Sequence, residues 1–215
     1  MPGLRSDGIA PTLLRMRVPD PLSLPTSVDF AHFLTEKRVG AGDWVVDGTA
    51  GNGHDTLFLA QLVGSTGRVF AFDLQAAAID STRIRLREAG CLGVCTLIHA
   101  GHETLAQRLP AEAKGRLAAC LFNLGWLPGF DKTCITRTET TLLALRAALD
   151  WLRPGGLLTV VVYPGHAGGD EESQAIAAWA AGLPSNAHEV RLYRPANRAG
   201  KSPECWAVRL RADAR

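Results

Sequence analysis

Twelve residues, Val45 to Thr56, read Val-Val-Asp-Gly-Thr-Ala-Gly-Asn-Gly-His-Asp-Thr and place three glycines and two aspartates directly behind an apolar, β-branched run. Gly48, Gly51 and Gly53 can take positive φ and carry no Cβ to keep a ligand off the backbone. A helix that opens on such a loop presents unpaired amide donors. Further polar residues recur where later apolar runs end. They are Asp73 and Gln75 after Arg68–Phe72, Gly101 and His102 after the run ending at His99, and Asn123 after Leu117–Phe122. Tyr163 and His166 follow Gly156–Val162 in the same way.

The order of residues in the glycine loop bears on the ligand. Dinucleotide-binding loops place G-x-G-x-x-G so that pyrophosphate meets a helix N-terminus. Here the order is Asp47-Gly48-x-x-Gly51-Asn52-Gly53, with an acid ending the strand itself. A carboxylate there repels phosphate and suits a cation, so the loop favours S-adenosyl-L-methionine over NAD. Asp73 is placed to accept hydrogen bonds from ribose hydroxyls and supports a nucleoside of either kind; taken alone it also serves as a helix N-cap. His102 falls where an adenine contact is expected, although a histidine at a strand end is often a plain surface group. Asn123-Leu124-Gly125-Trp126-Leu127-Pro128 resembles the Asn-Pro-Pro-aromatic tetrad of methyltransferases that modify exocyclic amines. There the Asn side chain can orient a target nitrogen and the Trp126 ring can stack on a base; a simple turn would also contain these residues.

The elements that carry these residues alternate. Apolar runs at Trp44–Val46, Arg68–Phe72, Val94–His99, Leu117–Phe122 and Gly156–Tyr163 are separated by helical stretches at Thr56–Val63, Ala76–Ala89 and Thr138–Leu152. A helix opening at Thr26-Ser27 and ending near Gly40 precedes them, and a helix over Glu171–Ala181 follows. Continuous rather than alternating apolar strands imply a parallel sheet covered on both faces. Right-handed crossovers make it a doubly wound, Rossmann-like α/β sheet. The last two runs, Glu189–Tyr193 and Cys205–Leu210, are joined only by a loop and should pair antiparallel, giving about seven strands. Residues 1–25 hold five of the twelve prolines and read as an extended arm before one domain over 26–215.

Composition restricts the function classes. The 215 residues carry a net charge of +2 and 47% hydrophobic residues, ordinary for a soluble domain. No apolar run reaches membrane-spanning length, and the first twenty residues do not read as a secretion signal. The five cysteines (91, 95, 120, 134 and 205) lack metal-ligand spacing and read as reduced thiols of a cytoplasmic protein that needs no metal. From Arg191 onward seven Lys/Arg residues face two acids, a candidate phosphate track that equally fits a solvated face.

Taken together these segments are similar to the small class I methyltransferases grouped as rRNA methylases. Characterised members of the group methylate wobble 5-aminomethyl-2-thiouridine of tRNA to its 5-methylaminomethyl form. The resemblance rests on Gly51–Ala60, Phe72–Gln75, Gly101–Glu103, Phe122–Gly129, Asp131-Lys132, Thr140-Thr141 and Tyr163–Gly169, in register from Val45 to Leu210. It implies cofactor contacts at Asn52, Asp73, Gln75 and His102, which join Asp47, Gly51, Gly53 and Gly101 as the expected cofactor site. It sets the Asn123 loop towards the substrate, with Trp126, Asp131, Lys132 and Tyr163 as expected substrate contacts; the catalytic candidates are Asn123 as orienter of the amine and His166 as proton acceptor or substrate contact. It implies tRNA, at the anticodon region, as partner, and allows a homodimer. Trp126 stands where the group has tyrosine, and Asn197-Arg198 where it tends to Asn-Gln. Other readings stay open at this stage: an rRNA methyltransferase, a small-molecule amine methyltransferase, or an NAD- or nucleotide-binding protein. The cytidine N4 methyltransferases of small-subunit rRNA share a Gly-x-Gly-Gly-His loop but carry an inserted helical domain for which this chain has no room.

Overall fold

Side chains on a strand alternate between the two faces of its sheet, so a strand apolar at every position needs cover on both. Trp44–Asp47 (β1) and Leu117–Asn123 (β4) are apolar up to their last residue, and buried at every position except Asn123. In the computed structural model, which describes residues 23–125, 136–165, 168–198 and 202–212, they lie side by side at the centre of a seven-stranded sheet. The other strands are Arg68–Asp73 (β2), Cys95–His99 (β3), Leu152–Val162 (β5), His188–Tyr193 (β6) and Glu204–Leu210 (β7). Their order is β3-β2-β1-β4-β5-β7-β6. Strands β1 to β5 run parallel, and β7 runs antiparallel to both β5 and β6. Strand order reverses between β1 and β4, the position at which an open α/β sheet opens a crevice for a ligand.

Two apolar layers cover the sheet. On one face Val46, Phe72, Phe122, Leu158 and Val160 pack with Leu145 and Ile176. These last two belong to helices Thr138–Trp151 (α5) and Gly169–Ala181 (α6), which follow the short helix Leu105–Arg108 (α4) in the chain. On the other face Val45, Val69, Ala119 and Leu121 pack with Leu59 and Leu86, carried by His54–Val63 (α2) and Ala76–Glu88 (α3). The first helix, Ser27–Glu36 (α1), is started by Thr26, whose hydroxyl accepts from the Asp29 amide while the Asp29 carboxylate accepts from the Thr26 amide. Its Ala31 packs on Val161 and Cys205.

The doubly wound sheet, the seven strands and the antiparallel final pair agree with the reading from sequence. Boundaries differ in instructive places. β5 begins at Leu152, not Gly156: Leu152 pairs with Leu117 before the register shifts, with Gly155 at φ 79° in the irregular stretch. α2 and α6 begin two residues early, at His54 and Gly169, because Gly53 (φ 79°) and Gly168 (φ 82°) turn the chain into the helix. α1 stops at Glu36, short of Gly40. Residues 1–22 of the expected arm lie outside the described residues, as does Cys134. Among the described residues Cys91, Cys95, Cys120 and Cys205 are free thiols, and no helix is long and apolar enough to cross a membrane.

Leu158 is fully buried in the middle of β5. Leu158→Ala is expected to lower unfolding free energy by about 2–5 kcal/mol, read as a fall in denaturation midpoint at unchanged slope.

Candidate active site

The glycine loop runs between the two central strands' carboxyl ends and is fastened on both sides. The Gly48 amide donates to Leu121 O of β4 (2.8 Å) and the Ala50 amide to Phe72 O of β2 (2.8 Å). Asp73, at the end of β2, accepts from the Gly51 amide with Oδ2 (2.8 Å) and from the Gln75 amide with Oδ1 (2.9 Å). From α3, the Thr82 hydroxyl donates to Gly51 O (3.0 Å) and Arg85 Nε to Asn52 O (2.6 Å). Two glycines are sterically required. A Cβ at Gly48 would lie 2.2 Å from the Phe122 ring, and at Gly53, held at φ 79°, 2.8 Å from the Thr82 backbone.

Three of the expected cofactor residues, Gly51, Asn52 and Asp73, therefore meet at one notch, with Gln75 beside it at the start of α3. Two others take positions that a sequence reading does not give. Asp47 is 0% exposed and lies beneath the loop instead of on its rim. Its carboxylate accepts from the Thr56 hydroxyl (2.5 Å) and the Thr49 amide (3.0 Å). It ties the loop to α2 from below, and Thr49 in turn accepts from the Asn123 amide with its hydroxyl (2.8 Å). Burial, and then the neighbouring Asp55 carboxylate, push the Asp47 carboxyl up to about 7 against its two hydrogen bonds. His102 follows Gly101, is only 8% exposed, and directs Nδ1 at Gly48 O (3.3 Å) with its ring edge-on to Phe122. Burial lowers its pKa, so the ring is neutral. It supports the loop where Gly48 crosses Phe122.

On the other side of the loop a polar chain gathers at the end of β4. Tyr163 donates its hydroxyl to Asn123 Oδ1 (2.9 Å), and Asn123 Nδ2 donates to Asp55 Oδ2 (3.3 Å). Asp55 Oδ1 meets His32 Nε2 of α1 at 2.8 Å, and the His32 ring stacks on Phe58 at 4.0 Å. Burial, then the Asp55 charge, raise the Tyr163 phenol, which stays a donor at neutral pH. Asp55, His32 and Thr49 were not among the residues expected at the site. Asp55 carries a local signal, an acid two residues past Gly53 in the first turn of a helix; His32, 23 residues away, carries none. Trp126, Asp131, Lys132 and His166 lie outside the described residues. Among the described residues of the basic C-terminal run, Arg191 and Arg209 pair with Glu189, and Arg194 with Glu204. No group of three or more His, Cys, Asp or Glu that could hold a metal occurs among the described residues.

Two outcomes test this geometry. Gly53→Ala is expected to weaken binding of S-adenosylhomocysteine by at least about tenfold in calorimetry, because the residue can neither keep its φ nor clear Thr82. Asp47 is raised in the folded protein, so its protonated form adds stability below about pH 4 that is lost as pH rises towards 7. The stability of Asp47→Asn relative to the natural protein should therefore improve between pH 4 and 8, followed by denaturant unfolding.

Known proteins are similar to this chain in sequence and fold. A curated Arabidopsis thaliana protein, the chloroplastic tRNA (mnm(5)s(2)U34)-methyltransferase, is 41% identical over 169 residues, covering 74% of this chain; the chain spans 60% of that relative's length. A solved structure described as a "putative rRNA-methylase" from Clostridium thermocellum is 36% identical, with a TM-score of 0.83 over 88% of this chain and 100% of that one. A "putative methyltransferase" from Streptococcus mutans, solved in complex with SAH, is 30% identical with a TM-score of 0.78, covering 87% and 99%. Residues 69–209 match the family described as "Putative rRNA methylase", and the chain belongs to that family.

Proposed function

We propose that the protein is an S-adenosyl-L-methionine-dependent N-methyltransferase acting on the aminomethyl group of wobble 5-aminomethyl(-2-thio)uridine in tRNA. The observation that carries the reading is the juxtaposition at the ends of β1, β2 and β4. A glycine-rich loop braced by Asp73 lies one hydrogen bond, Asn123 backbone amide to Thr49 hydroxyl, from an asparagine side chain held in fixed orientation. The similarity to the tRNA methyltransferase of Arabidopsis thaliana points to the same substrate class.

The residues present fit the cofactor. The loop from Gly48 to Gly53 lies at the crevice, and Asp73 stands where ribose hydroxyls can donate to a carboxylate. Gln75 adjoins Asp73 through its backbone amide. When bound, the cofactor supplies an electrophilic methyl group on a sulfonium. The protein's part is then to hold an amine nitrogen in line with that methyl, and orientation of this kind is worth up to about 7–11 kcal/mol in well-arranged systems. Asn123 does the orienting. Tyr163 occupies one lone pair of its Oδ1, which fixes the amide and leaves the second lone pair to accept from the amine. Trp126 would stack on the base, Asp131 and Lys132 would meet the RNA backbone, and His166 would touch the substrate.

Purified protein incubated with the cofactor and tRNA bearing the unmethylated aminomethyl group should add one methylene to that nucleoside, seen by mass after digestion. No gain on any tRNA nucleoside removes the reading. Asn123→Ala should lower kcat by about 100-fold while leaving cofactor affinity within about threefold, because it touches the acceptor and not the glycine loop.

A further inference from the structure

An alkylamine acceptor arrives almost wholly as ammonium. With a reference pKa near that of lysine, about 10.4, under roughly 0.1% is neutral at pH 7. The ammonium nitrogen has no lone pair to attack with, so a group at the site must take a proton. Asn123 has no basic atom that can do so. Tyr163 is already a donor to Asn123 and is held protonated. Asp47 is sealed under the loop with both oxygens engaged.

Asp55 is placed differently. Its side chain is 12% exposed, and it joins two partners of opposite kind. Oδ2 lies 3.3 Å from Nδ2 of Asn123, the residue read as orienting the amine. Oδ1 lies 2.8 Å from Nε2 of His32, whose ring is 26% exposed and stacked flat on Phe58. The carboxylate thus connects the amine site to an imidazole that reaches solvent. The other titratable groups facing it are Asp47 from β1, Tyr163 beyond β5 and His54 on its own helix; His32 also faces Asp29.

We propose that Asp55, backed by His32, accepts the proton that the substrate ammonium sheds before its nitrogen is methylated. The inference rests on the amine-methylation reading given above. One N–H bond breaks, its electron pair stays on nitrogen as the nucleophilic lone pair, and the proton moves to the Asp55 carboxylate. His32 donates from Nε2 to Oδ1 and holds the carboxylate in place, and Asp55 passes the proton to solvent when the product leaves. No oxidant or further reactant enters. Asp55 is the catalytic residue and His32 a positioning residue acting through it.

The test is the pH dependence of methyl transfer to aminomethyl-bearing tRNA between pH 6 and 9.5, with S-adenosylhomocysteine affinity measured alongside. Asp55→Asn should lose about 100-fold in rate at pH 7. That deficit should shrink towards pH 9.5, where free amine grows about tenfold per pH unit. Ligand affinity should hold within about threefold of the natural protein, as expected for a residue outside the glycine loop. His32→Gln should show a smaller deficit of the same pH shape, and Asp55→Glu a partial recovery. A deficit equal at every pH, or an undiminished rate at pH 7, overturns the assignment while leaving the methyltransferase reading intact. Should Asp55→Asn unfold or lose S-adenosylhomocysteine, the pH shape of His32→Gln decides by the same criterion. A natural protein that adds no methylene to the aminomethyl nucleoside overturns the reading and the inference together.

Discussion

Gly48 leaves β1 so close to Phe122 that any Cβ would sit inside the ring's contact distance, and this close pass dictates the site around it. Because the chain crosses there, its amide reaches Leu121 of β4 and the following turn reaches Phe72 of β2. The loop is thus fastened across the point where strand order reverses, where a parallel sheet leaves its crevice. His102 and Phe122 fill the space below, and Thr82 and Arg85 of α3 hold the outer side.

Three carboxylates surround that loop, and their environments give them different work. Asp47, sealed in and raised by burial, accepts from Thr56 and Thr49 and acts as a tie between loop and helix. Asp73 accepts two backbone amides and stays half-exposed at the end of β2, facing the crevice. Asp55 is paired with His32 and turned towards Asn123. A single residue type at 47, 55 and 73 so serves structure and, as we propose, ligand recognition and proton acceptance. Burial and partner decide between these roles.

The layout of the sheet was legible because continuous apolar runs at β1, β4 and β5 admit only a two-sided cover, and because the 193–205 connection is too short for a crossover. The glycine loop and Asp73 were legible for the same reason: positive φ, Cβ-free approach and a strand-end acid are local properties of the chain. The burial of Asp47 and His102 could not be read, since depth below a loop depends on neighbours far along the chain, Thr56 and Phe122 among them. His32 could not be read at all. Its contact with Asp55 arises only because α1 packs across β5 and β7, a tertiary fact with no short-range signature. Helix starts at His54 and Gly169 were missed by two residues because a preceding glycine in the left-handed region lets the first turn begin earlier than side-chain periodicity shows.

The most direct test of the whole arrangement is a crystal structure of the protein soaked with S-adenosylhomocysteine. The ligand is expected in the notch between residues 48–53 and Asp73, its ribose hydroxyls on the Asp73 carboxylate and its sulfur turned towards Asn123. A ligand bound at any other place, or a notch filled by side chains with no ligand at saturating concentration, would contradict it.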